Sequence, residues 1–182
     1  MTAVTASETM KLGYAEYARI PDDGRRHEII DGAHFVNPAP GTYHQTLSKR
    51  LQYQLYSQIE LRGLGLIFSA PIDVQLSDHD IVQPDLLVIL NARRSIVTPT
   101  KILGAPDLIV EILSPSNFDY DLNLKRRLYE RREVPEYWIV DPVARAVQQL
   151  VLREGRFQLE PAVEVLRPTI APDVAIPLRE IW

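Results

Sequence analysis

Two acidic residues stand where an apolar strand would ordinarily exclude them. Glu111 lies within Asp107-Leu108-Ile109-Val110-Glu111-Ile112-Leu113, and Asp85 opens Asp85-Leu86-Leu87-Val88-Ile89-Leu90. Both runs are almost continuously apolar, as expected of strands covered on both faces. A carboxylate in such a strand is costly unless it is paired, hydrogen-bonded or metal-bound. Neighbouring strands lie about 4.8 Å apart and magnesium–oxygen bonds are about 2.0–2.1 Å, so carboxylates on adjacent strands can converge on one cation. Lys125 follows in a helical segment, with Asp121 and Tyr129 as its i−4 and i+4 neighbours. A lysine beside such a cation can orient a water and offset phosphate charge.

Each residue also has an ordinary structural use. A proline-aspartate pair at a strand start can simply cap a turn, and Pro106-Asp107 repeats the dipeptide of Pro84-Asp85. Glu111 can serve in a buried ion pair. Lys125 can pair with Asp121, a surface contact worth a few tenths of a kcal/mol. The ordered combination, rather than any single residue, points to metal-assisted chemistry on a phosphate ester.

The elements that must position these residues are readable from the pattern. Residues 8–19 read as a short helix closed by Pro21. His27–Ile30 and Ala33–Val36, joined by Asp31-Gly32, read as a tight hairpin whose turn needs positive φ. From Tyr43 to about Arg62, the residues Tyr43, Leu47, Leu51, Leu55, Tyr56 and Ile59 recur at helical spacing, predicting an amphipathic helix laid on a sheet. Strands are expected at 66–69 and 72–76, with a turn at Ser77–Asp80, then at 85–90 and 107–113, separated by a basic loop at 91–105. Ser114-Pro115-Ser116-Asn117 ends the 107–113 strand and supplies capping side chains for a second helix over 119–132, followed by a buried strand at Glu136–Val140. A hairpin turned at Glu154-Gly155 and a proline-rich tail packed on the body complete the chain. The reading is one domain over residues 1–182, with a core of about 10–142 and a C-terminal hairpin and tail over 143–182.

In its residues the chain resembles the Uma2 family, a bacterial group described as endonucleases within the PD-(D/E)XK, or restriction-endonuclease-like, superfamily. The resemblance rests on His27-Glu28-Ile29-Ile30-Asp31-Gly32, His44, Gln83-Pro84-Asp85, and the run from Val110 through Glu111, Ser114-Pro115-Ser116-Asn117, Asp121, Lys125 and Tyr129 to Glu136-Tyr137-Trp138-Ile139-Val140-Asp141-Pro142. It implies an α/β fold: a restriction-endonuclease-like mixed central sheet flanked by helices, with an N-terminal β-hairpin and a C-terminal β extension. It also implies Asp85, Glu111 and the backbone carbonyl of Ile112 as ligands of Mg2+, with Mn2+ as a substitute. The superfamily's usual lysine would fall at position 113, where this chain has Leu113, so the resemblance assigns the catalytic lysine to Lys125 on the following helix. Glu28 and His44 match positions near the site: Glu28 as a ligand or outer acceptor, His44 as a phosphate contact or a support for a carboxylate. Their ordinary alternatives are a hairpin-side charge and a polar residue at a helix start. Where the family commonly has glycine before the Val134 position, this chain has Glu133, a departure at a helix C-cap.

Composition bounds the partner. The chain has 182 residues, no cysteine, and 20 Lys+Arg against 24 Asp+Glu. The absence of cysteine excludes thiolate metal sites and thiol nucleophiles, leaving oxygen or imidazole ligands. The acidic balance argues against a sliding DNA coat, yet residues 91–132 hold 8 basic and 5 acidic groups. Arg93, Arg94, Lys101 and Arg126 are therefore candidate nucleic-acid contacts. With no signal-like or membrane-spanning run, a cytoplasmic protein is expected. The reading is a Mg-dependent endonuclease acting on nucleic acid, DNA in the first instance, and homodimeric as superfamily members often are. The alternative is a noncatalytic nucleic-acid-binding or assembly module with the same fold.

Overall fold

Short-range chemistry sets the first elements. The computed structural model describes residues 11–114 and 120–182, with backbone alone for 120–122. The first helix, α1 (Tyr14–Tyr17), is a single turn whose start is held by Gly13 N–H donating to Glu16 Oε2 at 2.8 Å. The expected helix over 8–19 is thus four residues long here, its first positions lying outside the described residues. The hairpin is as expected: β1 (Arg26–Ile30) and β2 (Ala33–Asn37) turn through Asp31 at φ 50° and Gly32 at φ 78°, the left-handed pair that suits right-twisted strands. A Cβ on Gly32 would sit 2.4 Å from that of Lys11, so this position has no room for a side chain.

Helix α2 (Thr42–Leu55) begins after Asn37-Pro38-Ala39-Pro40-Gly41 and widens into a π-type turn at Tyr56–Glu60. Its buried stripe is His44, Leu47, Leu51, Leu55 and Ile59. Tyr43 and Tyr56, expected on that stripe, are instead 42% and 41% exposed. An i+4 row advances roughly 40° per step around a helix, so Tyr43 has rotated out by the first turn, while Tyr56 stands roughly 100° from Leu55.

Strands β3 (Gly65–Ser69), β4 (Val74–Ser77), β5 (Asp80–Val82) and β6 (Leu86–Leu90) follow. The turn expected at 77–80 is tighter than its sequence suggests, and Asp80 already belongs to β5. Within the basic loop lie a 3-10 segment at Asn91–Ile96 and the two-residue β7 (Ile102–Leu103). Then come β8 (Leu108–Ile112), a π-type turn at Tyr120–Lys125, and α3 (Arg126–Arg131). The second predicted helix is therefore split in two, and its capping candidates Ser116 and Asn117 lie outside the described residues. Strands β9 (Glu136–Asp141), β10 (Ala146–Arg153), β11 (Arg156–Leu159), β12 (Val165–Leu166) and β13 (Ile176–Pro177) complete the chain.

The main sheet has the order β11-β10-β9-β8-β6-β3, antiparallel except for the parallel β8–β9 pair. A second sheet, β2-β1-β5-β4-β7, covers part of one face. The side chains of β6 and β8 alternate between two cores, as period two requires. Leu86, Val88, Leu108 and Val110 meet Leu47, Leu51, Leu55 and Ile59 of α2. Leu87, Ile89 and Ile109 meet Leu128 and Tyr129 of α3, together with Ile30, Val74 and Val82 of the second sheet. Two covered faces are the physical reason the two strands read as continuous apolar runs.

The tail is part of this core, with Leu166, Val174, Ile176 and Ile181 all buried in the α2 cluster. Glu136, fully buried, ties it down. One carboxylate oxygen accepts from Trp138 Nε1 at 2.6 Å and Gln149 Nε2 at 2.8 Å, the other from Thr169 N at 2.7 Å and Thr169 Oγ1 at 2.6 Å. Such donors offset the cost of burying a carboxylate. Among the described residues no helix is long and apolar enough to cross a membrane.

Candidate active site

The ladder between β6 and β8 pairs Leu86 with Val110. One step further out along the same antiparallel register, Asp85 stands across from Glu111. Cross-strand partners share a face, with Cβ atoms about 4.5–5.5 Å apart. Both residues continue the rows of Leu87 and Ile109, toward α3, and they are only 4% and 2% exposed.

Asp85 is held from three directions. Its Oδ2 accepts from Ile112 N at 2.9 Å and from His44 Nε2 at 2.9 Å, and its Oδ1 accepts from Arg26 Nη1 at 2.9 Å. Burial pushes its carboxyl up, but the His44 hydrogen bond and the His44 and Arg26 charges outweigh burial and hold it at about 2. The carboxylate is therefore ionised at neutral pH, and His44 Nε2 is the donor. Among the described residues, His44 Nδ1 is buried without a hydrogen-bond partner, as is Arg26 Nε.

Glu111 is met by the helical return. Lys125 Nζ lies 2.9 Å from Glu111 Oε1 and 3.0 Å from Glu28 Oε1, and Tyr129 Oη donates to Glu111 Oε1 at 2.7 Å. Burial first, and the Glu111 charge second, push the Tyr129 phenol well above its ordinary value, so it remains a donor. Tyr129 follows Lys125 by one helical turn, which is how one face delivers both. The end of α3 is fixed by a Schellman pair, Val134 N to Tyr129 O at 3.0 Å and Glu133 N to Glu130 O at 3.1 Å, with Glu133 at φ 55°. The Glu133 departure noted in the sequence is therefore a left-handed C-cap residue.

Glu28 is fully buried at the same centre. It accepts from Gln83 N at 2.8 Å and from Asn37 Nδ2 at 2.7 Å, besides contacting Lys125. The centre thus combines three carboxylates, Glu28, Asp85 and Glu111, with two fixed cations, Arg26 and Lys125, and His44 at its edge. Between them is a cavity of about 20 Å³ lined by Arg26, Asn37, His44, Asp85, Glu111, Ile112, Ser114 and Lys125, among others. That is room for a single water or ion.

The structure brings together Asp85, Glu111, Ile112, Lys125, Tyr129, Glu28 and His44. The side chain of Asp121 lies outside what is described. Arg126 follows Lys125 but does not line the cavity. Arg93 and Arg94 lie at the opposite end of β6, about 17 Å of strand away, where Arg93 reaches Asp107 and the carbonyl of Ala105. Lys101 is on the second sheet's side, hydrogen-bonded to Gln75 at 2.7 Å and 3.1 Å over the Tyr14 ring. Sequence reasoning missed Arg26 and Asn37. The available signal was strand alternation: Arg26 is two residues before Glu28, hence on the same face of β1, and Asn37 is its cross-strand partner.

Among the described residues no three His, Asp or Glu side chains gather as a ready-made metal cage. Magnesium does not need one, since it commonly takes one or two carboxylates and fills its remaining positions with water and substrate oxygens. Two buried carboxylates on adjacent strands and an ion-sized cavity fit such a cation.

A solved structure from Anabaena variabilis, described as a "putative nuclease belonging to DUF820", superposes with a TM-score of 0.77 at 19% identity, covering 93% of this chain and 97% of that one. That likeness establishes the fold as the one expected from sequence. No curated protein matches the chain. The Uma2 family model, whose description is "Putative restriction endonuclease", matches residues 14–179. With nearly the whole chain covered, from the hairpin that carries Glu28 to the tail anchored by Glu136, this protein belongs to the Uma2 family.

Proposed function

We propose that the protein is a divalent-metal-dependent endonuclease, with DNA as its substrate and Mg2+ or Mn2+ as its cofactor. The observation that carries this reading is that Asp85 and Glu111, each one residue beyond the Leu86–Val110 pair, are both buried and face one small cavity with Lys125 in contact. Asp85, Glu111 and the carbonyl of Ile112 would hold the cation, which when bound supplies polarisation of the scissile phosphate and a more acidic water.

The chain's own residues do the rest. His44 and the Ile112 N–H fix the Asp85 carboxylate in one orientation. Tyr129 does the same for Glu111, and Lys125 keeps a positive charge at the cavity wall, where it can orient a water and offset charge developing on phosphate. Glu28 also holds Lys125, at 3.0 Å, and is itself anchored by Asn37 and the Gln83 main chain. Arg26, which neutralises Asp85, is placed to pass its charge to an incoming phosphate.

A second reading has one observation in its favour: both carboxylates already have cationic partners, Arg26 and Lys125, as in a closed structural network. In that case the protein is a noncatalytic binding module. Incubating the purified chain with supercoiled, linear and single-stranded DNA and with RNA, each with magnesium, manganese or EDTA, decides between them. The nuclease reading expects cleavage that chelator abolishes. Retention of nucleic acid in EDTA without cleavage under any condition would establish the module.

A further inference from the structure

Asp85 and His44 face more than the small cavity. On their other side opens a groove of about 550 Å³ between α2, the turn before β1 and the segment at 69–71. Its wall on α2 is formed by Gln45, Ser48, Lys49 and Gln52, spaced i, i+3, i+4 and i+7, a polar stripe beside the buried Leu47–Leu51–Leu55 row. Arg25 and Arg26 form the facing wall, and among the described residues Asp22 is the single acid lining it besides Asp85 itself.

Three independent features give this groove a preferred occupant. First, residues 32–59, which include all of α2, contain no acidic side chain in a chain that has 24. Second, Lys49 is exposed and, among the described residues, has no ion-pair or hydrogen-bond partner, whereas its neighbour Arg50 is engaged with the main-chain oxygen of Trp182. A cation left without an anion beside a carboxylate centre is free for a ligand's anion. Third, Arg25 is carried by an ordered turn: Asp23 accepts from Arg25 N at 2.9 Å and from His27 Nε2 at 2.9 Å, and its second oxygen lies 3.7 Å from the exposed Arg25 guanidinium, a long contact that a phosphate can replace. One turn of α2 beyond Lys49, Tyr53 is 67% exposed, an aromatic face on the same side of the helix.

Building on the endonuclease reading, we infer that this groove is the path of the nucleic-acid strand flanking the scissile phosphate, with Lys49 and Arg25 as its phosphate contacts. The cations that matter for binding then come from the acidic N-terminal half. Much of the 91–132 segment's positive charge is spent internally, as Arg93 pairs with Asp107 and Arg131 and Arg132 pair with Asp80.

The test uses the full chain, with Arg25→Ala and Lys49→Ala singly and together, Lys49→Arg as the conservative rescue and Arg94→Ala as a distant control. Binding of a labelled short DNA duplex is followed against salt with calcium replacing magnesium, and cleavage is followed at varied substrate concentration. Each lost phosphate contact makes the log Kd against log salt slope shallower by about 0.9. The expected result is a slope shallower by about 2 in the double variant, with KM raised at least tenfold and kcat nearly unchanged. Lys49→Arg should restore the slope, and Arg94→Ala should leave it alone. Wild-type slope and KM in the double variant, or a change only in Arg94→Ala, would overturn the inference while cleavage by the wild type left the endonuclease reading intact. Binding that depends on Lys49 and Arg25 without any cleavage would retain the groove and remove the nuclease; no binding to any nucleic acid would remove both.

Discussion

The two ends of the β6–β8 pair carry the same dipeptide and the same backbone interaction, yet they differ in what surrounds them. At one end Asp85, after Pro84, accepts the N–H of Ile112 as β8 finishes. At the other Asp107, after Pro106, accepts the N–H of Leu90 at 2.8 Å as β6 finishes. Each aspartate closes the neighbouring strand. Around Asp107 the one charged partner among the described residues is Arg93, 3.3 Å away and substantially exposed. Around Asp85 are His44, Arg26, Glu111, Lys125 and Glu28, every one of them buried or nearly so. A capping aspartate therefore becomes a candidate ligand through the elements that converge on it, the hairpin, α2 and α3, rather than through its own strand.

The largest effect should separate the two ends on activity. Asp85→Asn is expected to lower magnesium-dependent cleavage on the order of 10³-fold, whereas Asp107→Asn should leave the rate within a factor of about two, both read from plasmid cleavage time courses. Equal losses in the two variants would end the distinction. On stability the Asp107 end counts as well. Asp107→Ala leaves the Leu90 N–H without its acceptor and should cost about 1–3 kcal/mol by urea unfolding, with kcat retained in the folded fraction.

Acid gives a third contrast. The Asp85 carboxyl is lowered in the folded state to about 2, so its contribution is fully present above the ordinary carboxylate pKa of about 3.9 and is lost as pH falls through the folded value. It amounts to about 2 kcal/mol. Unfolding free energy measured from pH 6 to pH 2.5 should fall less steeply in Asp85→Asn than in wild type. Asp80, also lowered, because hydrogen bonds from Asp31 N and Ser77 and the Arg132 pairing outweigh its burial, adds loss of the same sign in both proteins. The smallest effect concerns the helix that serves the Asp85 end alone. Glu133→Gly relieves a left-handed backbone at the Schellman cap and should raise stability by about 0.5–1 kcal/mol, seen as a higher melting temperature with unchanged kcat.

The sequence disclosed the elements whose signal is local. The Asp31-Gly32 and Glu154-Gly155 turns, the α2 stripe and the doubly covered strands follow from residue type and period, and the structure has them. It concealed elements that exist only through partners: β5 and β7 are three and two residues long and are strands because β1 and β4 lie beside them. The candidate site divides the same way. Asp85, Glu111 and Lys125 were visible as charges out of place in apolar or helical patterns. Arg26 and Asn37 were not, since an arginine and an asparagine at the ends of hairpin strands look like ordinary surface until the hairpin folds over β6. Charge partition along the chain is coarse for a related reason. It ranks residues 91–132 as the basic region, but ion pairs with Asp80 and Asp107 occupy several of those arginines, and of the two fixed cations at the site only Lys125 comes from that segment, Arg26 coming from the hairpin.

The far-end loop has a separate consequence for how this fold can vary. Asp85 and Glu111 are set opposite each other by a ladder, and the connection between their strands runs through residues 91–107 at the other end. Changing the length of that connection leaves the ladder in phase. Its tip, Pro99-Thr100, is exposed and rests on a local turn in which Thr98 Oγ1 donates to Lys101 O at 2.7 Å. A tag, a fluorophore or an inserted peptide placed there should be accommodated by the β6–β8 frame, which makes this tip a natural point for grafting and for evolutionary lengthening in a protein whose chemistry is anchored elsewhere.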